Sequence, residues 1–175
     1  MKRQFLAIGL STISALGTYS AIAPVSAQSP VQSSTIEVRV DRADTAPVAF
    51  DPGNAIESRP DMFVRVFVDG ERIAFATAPE NQSSVKFGVR ASGRSTKSLV
   101  PVRVELYDKD NNAQEGIDIN PLGGLKILNL RYNPATGEIL NEQGKPVAQR
   151  DRAFDMEGLG DGEKKATIRL SIAHK

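Results

Sequence analysis

Residues 60–77 read "PDMFVRVFVDGERIAFAT". A β-branched and aromatic run, Met62 to Val68, stops at Asp69-Gly70, and a second run returns from Glu71. Asp-Gly readily takes the left-handed backbone that a two-residue hairpin turn requires, so the stretch is predicted to be two antiparallel strands. On the returning strand Ile73 and Phe75 are expected on one side.

The same pattern extends in both directions. "TIEVRV" (35–40) alternates Ile36, Val38 and Val40 on one face, and "SVKFGVR" (84–90) alternates Val85, Phe87 and Val89. "SLVPVRVELY" (98–107) puts Val100, Val102, Val104 and Leu106 together; its Pro101 fits an edge, or a site where no amide is needed. "LKILNLRY" (125–132) carries Leu128 and Leu130, "NPATG" (133–137) is a turn, "EIL" (138–140) a short strand, and "ATIRLSI" (166–172) a closing strand. No segment keeps a helical period over ten residues. Seven or eight strands punctuated by turns predict an all-β fold, an antiparallel sandwich. A sandwich carries its chemistry in the loops at its two ends.

The amino terminus is read apart from the fold. Met1-Lys2-Arg3 is basic, residues 5–17 carry no charge, and Val25-Ser26-Ala27 ends in small residues. That order predicts a secretory signal peptide over 1–27, cleaved after Ala27. The apolar run is too short and too rich in Ser, Thr and Gly to span a bilayer. A flexible lead-in, 28–34, and a single sandwich domain, 35–175, are then expected in the periplasm or outside the cell, with no transmembrane segment.

The chain has 22 basic and 21 acidic residues; without Lys2 and Arg3 the balance is 20 against 21, a net charge of −1. That argues against nucleic acid, which needs a basic excess. There is no cysteine, which removes disulfides, thiol chemistry and cysteine metal sites. The one histidine, His174, is expected to be an exposed tail residue, so neither a histidine triad nor a histidine zinc site is expected.

Three polar stretches exceed what a hairpin needs: 41–60, 108–124 and 141–164, the last containing "GLGDGEKK". The second offers Asp108, Asp110, Asn112, Glu115, Asp118 and Asn120. In extended backbone Asp108 and Asp110 point the same way, and their like charges repel unless a cation lies between them. Calcium accepts about six to eight such oxygens in flexible geometry. An EF-hand does not fit, because Ala113 and Ile119 stand where its glycine and bidentate glutamate belong. The plain alternative is an acidic turn held by local hydrogen bonds. Ile117 and Ile119 are expected to anchor this loop, turning Asp118 and Asn120 outward toward the ion of Asp108.

"PDMFVRVFVDGER" resembles the "SDPYVKV" signature of C-two (C2) domains, the calcium- and phospholipid-binding β-sandwiches, and "VELYDKD" resembles their "VWDxD" step. The resemblance covers roughly 35–120 and implies a calcium site. Asp61 matches the ligand that opens the signature strand, and Asp108 and Asp110 match the paired aspartates. Glu115 stands for the last aspartate, one residue early. Asp51 fits a first-loop ligand, with Asp44 behind it. Asp118 departs from the pattern, replacing the family's glycine. "IDINP", "LNLRYNPATGEI" and the late "GDG" are similar to bacterial exported proteins, a divergent group of this kind.

The resemblance implies a calcium-binding module whose calcium orders the end loops, and with the leader over 1–27 a secreted, non-catalytic one is expected. It also implies an anionic lipid partner, with Ile56 and Met62 as apolar contacts. Arg65, Arg72, Lys86, Arg90, Arg94 and Lys97 are the cations available for anionic lipid or polysaccharide. The competing expectation is a metal-free adhesion or carbohydrate-binding sandwich of the cell envelope. A carboxylate-pair hydrolase is disfavoured, since Trp is absent and Tyr numbers three.

Overall fold

Asp69 and Gly70 take φ of 53° and 90°, and around them β2 (Met62–Val68) and β3 (Glu71–Thr77) form the expected hairpin. The computed structural model describes residues 33–45, 59–109, 114–160 and 164–175. The expected signal peptide and its cleavage point lie outside them.

The other strands are β1 (Ser34–Thr45), β4 (Ser84–Ser95), β5 (Val100–Lys109), β6 (Gln114–Ile117) and β7 (Leu128–Tyr132). They continue with β8 (Glu138–Asn141), β9 (Pro146–Gln149), β10 (Phe154–Glu157) and β11 (Ala166–His174). A four-stranded sheet runs β10-β11-β1-β4, and a larger one runs β3-β2-β5-β7-β8-β9 with β6 on β5. Every strand pair is antiparallel. The molecule is the expected all-β antiparallel sandwich. Among the described residues no helix is long and apolar enough to cross a membrane.

The alternating residues face one another across the two sheets. Ile36, Val38 and Val40 of β1, Ile168, Leu170 and Ile172 of β11, and Val64 and Val66 of β2 are buried, as are Val102, Val104 and Leu106 of β5. Burying one such side chain is worth about 1.5–3 kcal/mol, which stands in for the absent disulfides. Gly93 sets the spacing: a Cβ there would lie 2.8 Å from the Val68 Cβ of the opposite sheet.

Two expectations about the strands change. Residues 108–124 and 141–164, read as polar loops, contain β6, β9 and β10, four residues each. Such short strands hold too few alternations to give a period. Ile73 and Phe75 separate, because a bulge at Val66/Phe67 breaks the register between β2 and β3. Ile73 packs on the core, whereas Phe75 is 53% exposed on the outer face. Pro101 takes the second of its two expected settings: it is in a central strand, at a point where no amide is needed because the β2 pairing ends at Val102.

His174 is also not a loose tail. It ends β11 paired with Ile36, and its Nδ1 is hydrogen-bonded to the Tyr132 hydroxyl, joining the two sheets. Burial pushes the Tyr132 phenol up, with Arg150 pulling the other way. Met62, expected as a membrane contact, is 1% exposed in the core, since it opens β2 on the inward face. Ile56 lies outside the described residues.

Candidate functional site

The start of β2 and the end of β5 meet at one end of the sandwich. Met62 is opposite Asp108 on β5, and Asp108 is opposite Glu115 on β6. Asp108 shares the inward face with Leu106 and Val104 and is fully buried. The Asp61 amide donates to Asp108 Oδ1 at 2.7 Å, and the Lys109 amide donates to the Asp61 carbonyl at 3.1 Å. Asp61 Oδ1 accepts from the Asn81 amide at 2.6 Å, which ties in the turn before β4. Asp61 and Asp108, 47 residues apart, are thus in contact.

The other acidic residues have different surroundings. Glu115 Oε2 is 2.5 Å from the Lys164 ammonium, and its Oε1 is 3.8 Å from that of Lys126. Asp118 lies between Ile117 and Ile119, both fully buried, and is itself buried rather than turned outward. Its Oδ1 accepts the Asn120 amide at 2.8 Å and its Oδ2 the Gly160 amide at 2.8 Å. Gly158 makes this approach feasible, because a Cβ there would lie 2.2 Å from the Asp118 carbonyl oxygen. Asp44 accepts from Ser84 Oγ at 2.5 Å and pairs with Arg42 at 3.1 Å. Asp51 and Asp110 lie outside the described residues.

Calcium needs about six to eight oxygens. Among the described residues no group of three Asp, Glu, His or Cys side chains is placed to hold a metal. Each described candidate also has an oxygen engaged by a protein donor, whether backbone amide or ammonium. The described donors alone do not fit a calcium shell.

A second feature covers the outer face of the larger sheet, on residues of β2, β5 and β7 that alternate with the core. The Arg65 guanidinium lies over the rings of Phe63 and Tyr107, 5.1 and 4.9 Å from their centroids, and those rings stack at 5.2 Å. Arg103 lies 3.9 Å over Phe67. Between them Glu105, 6% exposed, is 3.8 Å from Arg65 and 3.1 Å from Arg103. Arg65 also donates to Gln114 of β6 at 2.7 Å. Lys109 and Arg131 are exposed on the same face. Toward its far end a groove of about 530 Å³ is lined by Phe67, Lys97, Arg103, Asn129, Arg131 and Glu142.

The cations adjacent in sequence do not form one patch. Arg65 is on the larger sheet, whereas Lys86, Arg90 and Arg94 are on β4 of the smaller, where Arg90 pairs with Glu37 at 3.3 Å. Lys97 pairs with Asp69 at 2.5 Å. Arg72, opposite Phe67 on β3, does share the face of Arg65, whereas Arg103, Lys109 and Arg131 share it without being among the cations expected from the sequence. The period-2 alternation of β5 and β7 was the available signal: Arg103 and Lys109 fall outward opposite Val104 and Leu106.

Comparison with solved structures agrees with this architecture. One C2 domain superposes at a TM-score of 0.52 with 10% identity, covering 81% of this chain and 98% of that one. A C2 domain of plant extended synaptotagmin 1 superposes at 0.52 with 12% identity, covering 81% and 93%. At such identities the likeness is one of fold. No family model and no curated protein matches the chain. The class defined is therefore a C2-like β-sandwich.

Proposed function

We propose that this chain is a non-catalytic, C2-like docking module that meets an anionic surface, phospholipid headgroups first, with the outer face of its larger sheet. The carrying observation is the charge of that face. Arg65, Arg103, Lys109 and Arg131 point outward from β2, β5 and β7 with Glu105 as the buried carboxylate among them. Two of the guanidiniums are fixed on aromatic rings, so they lose little freedom on binding. Each cation near an anionic leaflet contributes about 1 kcal/mol. Reversing two exposed ones, K109E with R131E, should weaken sedimentation with phosphatidylserine vesicles at least about tenfold in chelator. Unchanged sedimentation refutes the face. Binding to acidic polysaccharide but not to vesicles would assign the face to the adhesion reading instead. The leader read in residues 1–27 makes the module an exported one, beginning at Gln28.

Calcium ordering of the end loops is a second reading, favoured by the contact of Asp61 with Asp108. It requires Asp51 and Asp110 to complete the shell. Under it the melting temperature rises in millimolar calcium relative to chelator, and D108N diminishes the rise. Superimposable melting curves would contradict it.

A further inference from the structure

Asp108 and Glu115 are direct cross-strand partners on β5 and β6. Like charges so placed destabilise a sheet, and Asp108 has no exposed surface over which water could screen it. Lys164 brings a positive charge to the Glu115 member of this pair, its ammonium 2.5 Å from Glu115 Oε2 and its side chain only 20% exposed. The lysine is held there by its backbone. The Asp118 amide donates to the Lys164 carbonyl at 2.7 Å, and the next residue, Lys165, bridges to Asp118 in parallel. The position of the ammonium is thus set by the strand that enters β11. Lys126, whose side chain is 50% exposed and whose Nζ is 3.8 Å away, contributes less.

We propose that Lys164 is the module's own tethered cation, an ammonium that neutralises the acidic end where a bound divalent ion would otherwise be needed. The end then stays assembled without calcium, and a divalent ion that enters must compete with a charge already attached to the chain. Sheet-face docking is independent of this assignment.

Melting temperatures of the whole protein test it, in chelator and in millimolar calcium. K164M should melt at least about 3 °C below the wild type in chelator. Adding E115Q to K164M should recover most of that loss, because the repulsion then has one partner fewer. K164R, which keeps the charge, should stay near the wild type. Calcium should raise K164M more than it raises the wild type. The proposal is overturned if K164M melts with the wild type, if the two substitutions add, or if calcium raises wild type and K164M equally. That last result would leave calcium binding standing and remove only the role of Lys164.

Discussion

Asp69 closes the hairpin at the far end of the sheet from Asp108, and its surroundings fix a pH response. The Lys97 hydrogen bond, then that of Ser95, hold its carboxyl below the usual carboxylate range against the opposing effect of burial. Lys97 Nζ is 2.5 Å from Oδ1 and Ser95 Oγ is 2.7 Å from Oδ2. The folded state binds this proton less readily than the unfolded one. The stabilisation is therefore complete above about pH 4 and lost as pH falls through the lowered range. K97M should make the melting temperature fall less steeply between about pH 5 and pH 3; an acid profile identical to wild type would refute the assignment. Which carboxylates matter locally was only half legible in the sequence. The nearness of Asp61 and Asp108 was implied by the resemblance to C2 domains. The partners of Asp118 and Glu115 were not, because Gly160 and Lys164 lie over forty residues away and no period links them.

The strands were readable wherever a face alternates over six or more residues, as in β1, β2, β5 and β11. They were not readable where pairing is short or bulged. β6 is fixed by Ile117 against Leu106 and by Arg65 reaching Gln114, tertiary contacts that leave no local signature. The bulge in the β2–β3 hairpin follows from nothing within the quoted stretch, yet it decides that Ile73 packs inward. Inward packing there depends on β4 coming close. A Cβ on Gly93 would lie 2.8 Å from Val68 Cβ and 3.0 Å from Ile73 Cγ2. G93A should therefore separate β4 from the hairpin and cost about 1–3 kcal/mol in chemical denaturation. A stability equal to wild type would show that the sheets are not held at this distance.

At the scale of the molecule, the two sheets present unlike outer faces. On the smaller sheet Arg90 pairs with Glu37 and Arg169 with Asp155 at 2.9 Å, and Lys86 and Arg94 are exposed on β4 with no ring stacked beneath them among the described residues. The larger sheet carries guanidiniums stacked on Phe63, Tyr107 and Phe67, with Lys109 and Arg131 exposed beside them. One end is acidic and held by Lys164, and the opposite end is closed by Tyr132 and His174. The ring-stacked guanidiniums of the larger sheet, rather than the net charge of the chain, are what give the proposed docking a direction.

The chain has no cysteine, so one introduced thiol can carry an environment-sensitive fluorophore without competition. Thr77 is exposed opposite Phe63 on the larger sheet, and Arg90 is exposed on the smaller. On phosphatidylserine vesicles in chelator, the label on T77C should shift its emission and the label on R90C should not, with both silent on neutral vesicles. A response from R90C alone, or from neither position, would contradict docking by the larger sheet.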